Sequence, residues 1–188
     1  MAVDRRSGAE QRGDAILKRV GGQARGVEVG VFRGILSRYL LRKGVQRLFM
    51  VDNWLPADEQ PDHYRETRDY CAGLSRDEAA ANRGQALAVA GTHSGRAVVI
   101  EMASVAAAEK IGDRSMDFVF LDADHSYDGL MADIAAWSPK VKPGGWLCGH
   151  DYRNAMEQFD FSGVDRAVDE TFGDRVEADD NFTWFVRM

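Results

Sequence analysis

Thiols are scarce in this chain: Cys71 and Cys148 are the only two. Two cysteines build neither a disulfide framework nor a zinc site, and a reducing cytoplasm suits them best. No apolar run approaches the ~18 to 20 residues that a membrane helix needs. The opening Met-Ala-Val-Asp-Arg-Arg lacks the apolar core of a secretion signal, so a cytoplasmic location with no membrane contact is expected. Basic charge is in deficit as well: 24 Lys and Arg face 30 Asp and Glu, for a net charge of -6. That balance disfavours a broad phosphate-binding surface, and with it nucleic acid as a partner. A local basic cluster among the first 25 residues (Arg5, Arg6, Arg12, Lys18, Arg19, Arg25) reads as a solvated helix face. Repeats and low-complexity tracts are absent.

What is present is ordinary globular composition over 188 residues, 45% hydrophobic and 29% charged. One domain spanning 1–188 is expected. Helix and strand patterns alternate along it, which points to an α/β fold with a mostly parallel sheet. A first helix covers 8–20. Gly26 to Gly30 reads as a short buried strand, followed by a helix over 34–43 and a strand over 45–51. Residues 54–74 are irregular and hold Trp54, Tyr64 and Tyr70. Ser75 and Glu78 form a capping-box pattern for a helix reaching about Ala90. Strands are expected at 96–101, 116–121, 146–149 and 182–188, and helices at 104–111, 128–137 and 164–172. Lys142-Pro-Gly-Gly145 reads as a turn.

Ligands of open parallel sheets bind beyond the carboxyl ends of the strands. Those ends carry Gly30 to Gly34, Asp52-Asn53, Glu101-Met102, Asp122-Ala-Asp124-His125 and His150-Asp151, and Glu28 lies inside the first strand. Ionised carboxylates only accept hydrogen bonds, so such a ring suits hydroxyl-rich or cationic ligands and repels pyrophosphate. For any single acid, a helix cap or a turn is an equally good account. The first loop, Glu28-Val-Gly-Val-Phe-Arg-Gly34, spaces its glycines four apart, unlike the G-x-G-x-x-G of dinucleotide binders.

These residues resemble class I S-adenosylmethionine-dependent methyltransferases. V-E-V-G-V-F-R-G at 27–34 is similar to that superfamily's acid-then-glycine motif, with Phe32 where a glycine is usual. F-L-D-A-D-H-S-Y at 120–127 and K-P-G-G-W-L-C-G-H-D at 142–151 resemble methyltransferase family 24 and the related catechol and caffeoyl-CoA type O-methyltransferases. The resemblance implies a Rossmann-like, doubly wound, mostly parallel seven-stranded sheet with helices on both faces and an antiparallel last strand. It implies that Glu28, Gly30, Val31 and Gly34 face the methionine part of S-adenosyl-L-methionine. Asp52 and Asn53 would then meet the ribose, and Met102 and Ala103 the adenine, with Asp122 beside the donor.

Methyl transfer to oxygen requires positioning and removal of a hydroxyl proton. By resemblance, Asp122 and Asp151 occupy the positions of acids that bind Mg2+, and His125 stands where the caffeoyl-CoA type has its lysine base. An ordinary imidazole is a competent base at neutral pH, and a loop histidine bonded to a carbonyl is the competing account. Tyr152 replaces an asparagine that ligates metal in those relatives, which puts the metal in question. The 54–74 stretch reads as an acceptor lid, with Arg65 and Arg68 available to an anionic acceptor; its aromatics covering the sheet is the competing account. The expected acceptor is a small-molecule hydroxyl, and a homodimer is left open. A nicotinamide-dependent oxidoreductase and a non-catalytic S-adenosylmethionine-binding protein are the alternatives.

Overall fold

The computed structural model describes residues 7–179 and 181–188; Arg5 and Arg6 of the basic cluster lie outside them. Helix α1 (Gly8–Val20) is followed by β1 (Arg25–Val29), α2 (Ile35–Arg42) and β2 (Arg47–Asp52). Two short helical pieces, α3 (Asp62–Glu66) and a single turn at Cys71–Gly73, interrupt the next connection. Then come α4 (Arg76–Thr92), β3 (Ala97–Glu101), α5 (Ser104–Ala108) and β4 (Met116–Leu121). The chain continues with α6 (Tyr127–Trp137), β5 (Val141–Gly149) and α7 (Ser162–Phe172), and closes with β6 (Glu177–Asp179) and β7 (Thr183–Arg187).

The strands form one seven-stranded sheet in the order β3-β2-β1-β4-β5-β7-β6. β1 to β5 run parallel, and β7 lies antiparallel between β5 and β6. The order of travel reverses between β1 and β4, so the crevice of a doubly wound sheet opens above those two strands.

Side-chain alternation divides the core between the two faces. Val119 and Leu121 of β4 join Val27, Leu147 and Trp184 beneath α6 and α7. Phe118 and Phe120 join Leu48, Met50 and Phe185 beneath α1 and α2. Because successive residues of a strand point to opposite faces, β4 is apolar on both and must be central. Each fully buried Leu or Phe contributes about 1.5–3 kcal/mol. Two capping boxes start helices squarely: Ser75 with Glu78 at α4, as the sequence indicates, and Ser7 with Glu10 at α1.

Some expectations change. Lys142 to Gly145, expected as a turn ahead of the strand, lie within β5. They bulge out of its ladder: Val141 pairs with Met116, the next pair is Trp146 with Phe118, and Gly144 takes φ +80°. Turn chemistry and strand membership therefore coexist there. β6, three residues on the exposed edge, carries no periodic signal and has no counterpart in the sequence reading. The helix expected over 104–111 stops at Ala108.

Candidate active site

The β1–α2 turn is held by close backbone approach. Gly30 takes φ +88°, and a Cβ there would lie 1.9 Å from the carbonyl oxygen of Asp122. Only glycine lets β1 and the end of β4 come this near. Phe32 adopts φ +53°, a region that disfavours side chains, and its ring meets Tyr70 edge-on at 6.1 Å. Asp52, at the end of β2, folds back onto this turn. Its Oδ2 accepts from the N–H groups of Val31 and Phe32 at 2.9 Å each, and its Oδ1 accepts from Trp54 N–H at 2.8 Å. Burial raises the Asp52 pKa against these donors. Trp54 closes the arrangement by donating from Nε1 to the Phe32 carbonyl at 2.8 Å.

Beyond the ends of β1, β2 and β4 lies a cavity of about 380 Å3. Gly30, Asp52, Asn53, Met102, Ala103 and Asp122 line it, as the sequence indicates. Glu28, Val31 and Gly34 stand behind the wall instead, and Phe32, Trp54, Cys71, Ser104, Asp124 and Asp133 join the lining. Among the described residues, four aspartates reach this surface and no lysine or arginine does.

Glu28 is buried beneath the turn and accepts a hydrogen bond from Ser37. Burial pushes its carboxyl up to about 8, more than the Ser37 hydroxyl and the Arg12 charge pull it down. At the opposite end, Trp137 Nε1 donates to Ser104 Oγ at 2.8 Å and Ser104 donates to Asp133 Oδ1 at 2.5 Å. Burial pushes the Asp133 carboxyl up to about 7. Nothing in local sequence marks Ser104 and Asp133; helix α6 brings Asp133 across from another part of the chain.

A second centre adjoins the cavity at Asp122. One ligand atom each from Asp122, His125 and Asp151 lies within 4.8 Å of the other two. His125 Nε2 is 3.0 Å from Asp151 Oδ2 and 3.4 Å from Asp122 Oδ1. His150 Nδ1 is 2.9 Å from Asp151 Oδ2, and Arg12 reaches His150 from α1 at 3.2 Å. Asp151 takes φ +58°, a strained setting for a non-glycine residue. Burial alone would lower the His125 pKa, yet Asp122, Asp151 and Asp69 together hold it well above its usual value. The free imidazole of ordinary pKa expected from the sequence is therefore not what the fold provides. Burial opposes ionisation of Asp122 and Asp151, but the neighbouring histidines prevail and hold both carboxyls below the usual range. Tyr152 does not face this centre; it is buried and donates to Asp169 Oδ1 at 2.6 Å.

Two further residues escaped sequence reasoning. Asp69, from the irregular 54–74 segment, places Oδ2 2.5 Å from His125 Nδ1. Arg12 belongs to the basic helix read as a solvated face, yet its charge acts on Glu28 and Asp122. A pairing across 56 positions, as between Asp69 and His125, leaves no local signal.

The sheet order and the crevice above β1 and β4 define a Rossmann-like methyltransferase fold. The methyltransferase domain family, family 24, matches residues 27–152, and the chain belongs to it. No curated protein sequence matches the chain. Among solved structures, the O-methyltransferase NovP is similar over 96% of this chain and 79% of its own, with TM-score 0.63 and 18% identity. A Klebsiella pneumoniae protein proposed to be an O-methyltransferase is similar over 100% and 83%, with TM-score 0.61 and 15% identity. Spermidine synthase from Thermotoga maritima is similar over 95% and 58%, with TM-score 0.61 and 11% identity. At such identities the likeness is one of fold, and the fold alone does not fix the reaction.

Proposed function

We propose that the chain uses S-adenosyl-L-methionine to methylate a hydroxyl group of a small molecule. The observation that carries this reading is the cavity wall: among the described residues it presents four aspartates and no lysine or arginine side chain. A sulfonium nucleoside brings positive charge, a ribose diol and no phosphate, and so matches an acidic wall. A nicotinamide dinucleotide would set its pyrophosphate against the same carboxylates. Membership of a methyltransferase family supports the reading independently.

Roles follow from position. The Gly30 turn, with Val31, Gly34 and the buried Glu28 behind it, receives the methionine part. Asp52 and Asn53 border the ribose position; Asp52 keeps the turn in shape through its three backbone contacts. Met102 and Ala103 flank the adenine position, where the Ser104–Asp133 pair offers a hydrogen-bonding edge. When bound, the donor supplies an electrophilic methyl group. The protein's task is to hold the acceptor oxygen in line with it and shield both from water, which is worth about 7–11 kcal/mol in related intramolecular cases. The 54–74 segment covers the cavity through Trp54, Leu55 and Tyr64 and serves as the acceptor lid. Asp122 and Asp151 would hold a divalent cation, which supplies Lewis acidity toward the acceptor hydroxyl. The fit is physical: His125 Nε2 is buried between the two carboxylates without a hydrogen-bond partner.

The test is calorimetric titration with S-adenosylhomocysteine and with NAD+, followed by isotope-labelled methyl transfer to a panel of phenols, sugars and amines. Binding of the first ligand alone, with label on oxygen, is the expected result. Label on nitrogen only would remove the hydroxyl assignment. Tight binding with no transfer to any class would favour a binding protein.

A further inference from the structure

We propose that the Asp122–His125–Asp151 centre binds its cation through the imidazole nitrogen of His125, with Asp69 as the positioning residue, and therefore prefers a first-row transition ion to Mg2+. This deepens the methyltransferase reading and rests on it for function, but not for the binding itself.

His125 is 7% exposed, and its Nε2 has no hydrogen-bond partner among the described residues. The two carboxylate oxygens are near enough, at 3.0 and 3.4 Å, but neither lies where an Nε2 hydrogen would point. An imidazolium serving only as an ion-pair bridge would turn that hydrogen onto an oxygen. Leaving a buried donor unmade costs about 1–3 kcal/mol. A lone pair at Nε2 facing a cation needs no such bond. Separations near 3 Å are those of adjacent ligands each about 2.0–2.2 Å from one ion.

The other ring nitrogen fixes the tautomer. Asp69 Oδ2 sits 2.5 Å from His125 Nδ1, and Asp69 Oδ1 is occupied by the Cys71 N–H. A carboxylate on Nδ1 keeps a proton there, so Nε2 is the nitrogen that releases its proton to solvent when a cation binds and becomes the ligand, the arrangement that orients metal-bound histidines. Phe161 packs on the ring at 4.5 Å and restricts its rotation. Three carboxylates, of Asp69, Asp122 and Asp151, surround this imidazole, with His150 and the Arg12 guanidinium beside them. His150 Nδ1, 2.9 Å from Asp151 Oδ2, offers a second nitrogen at the rim. Mg2+ favours all-oxygen octahedra, whereas mixed nitrogen and carboxylate sets favour manganese, iron, cobalt or zinc.

The experiment titrates the metal-stripped full chain with Co2+, Mn2+ and Mg2+ by calorimetry and records the visible absorption of the Co2+ form. One Co2+ per chain, bound at least tenfold tighter than Mg2+, is expected. His125→Ala should weaken Co2+ by about 100-fold and change its spectrum, while Asp69→Asn should weaken it about 10–100-fold. His125→Gln and circular dichroism report whether a variant has simply failed to fold. Equal affinity for Co2+ and Mg2+, or unchanged Co2+ binding in folded His125→Ala, would overturn the proposal. S-adenosylhomocysteine binding is measured in the same samples. Its absence, with Co2+ bound as expected, counts against the methyltransferase reading and leaves the metal site standing.

Discussion

Gly30 shows how one residue joins the β1–α2 turn to the end of β4. A Cβ would strike the Asp122 carbonyl, and the backbone is already left-handed. Gly30→Ala is expected to cost on the order of 3 kcal/mol, read as a fall in the urea midpoint, with loss of S-adenosylhomocysteine binding. Glu28 makes a pH prediction. Its carboxyl titrates near 4.5 when unfolded and at about 8 when folded. The folded state then binds more protons across that window, so stability falls as pH rises from about 4.5 to 8 and levels above it. The slope is at most about 1.4 kcal/mol per pH unit. Glu28→Gln, which still accepts from Ser37, should flatten this part of a chemical-denaturation profile against pH. At this scale the sequence revealed the acids at strand ends, because strand termini are where ligands bind. It hid Asp69 and Arg12, since a contact between distant segments leaves no periodicity behind. It also left open whether a given acid lines the cavity or, like Glu28, stands behind it.

Among the elements, the 54–74 segment is the least regular and the most consequential. It contacts the body through Trp54 on the Phe32 carbonyl, His63 on Asp124 at 3.0 Å, and Asp69 on His125. The half-exposed His63 pair is screened by solvent, whereas Tyr64 is buried and bonds Asp69. His63→Ala should therefore change stability by less than about 1 kcal/mol. Tyr64→Ala should cost about 3–5 kcal/mol, and thermal melts of the two variants compare them directly. A second contrast lies between α5 and α6. Ser104→Ala leaves the Trp137 indole N–H and the Asp133 carboxyl without their shared partner, at a cost of about 1–3 kcal/mol in denaturant unfolding. Central elements were readable because they are apolar on both faces, as in β4. The β5 bulge and edge strand β6 were not, since their pairing is decided by neighbours rather than by their own residues.

Across the whole molecule, a sheet that reverses direction between β1 and β4 sets its crevice under a cavity whose lining, among the described residues, carries four aspartates and no lysine or arginine. No helix among the described residues is long and apolar enough to cross a membrane. The methyltransferase family match runs from Val27 within β1 through the end of β5 at Gly149 and into the start of the segment after it. The most direct measurement is isothermal titration of the full chain with S-adenosylhomocysteine and, in parallel, with NAD+. The account predicts one saturable S-adenosylhomocysteine site per chain, weakened at least tenfold by Asp52→Ala, and no detectable heat from NAD+. Saturable NAD+ binding with none for S-adenosylhomocysteine would contradict it.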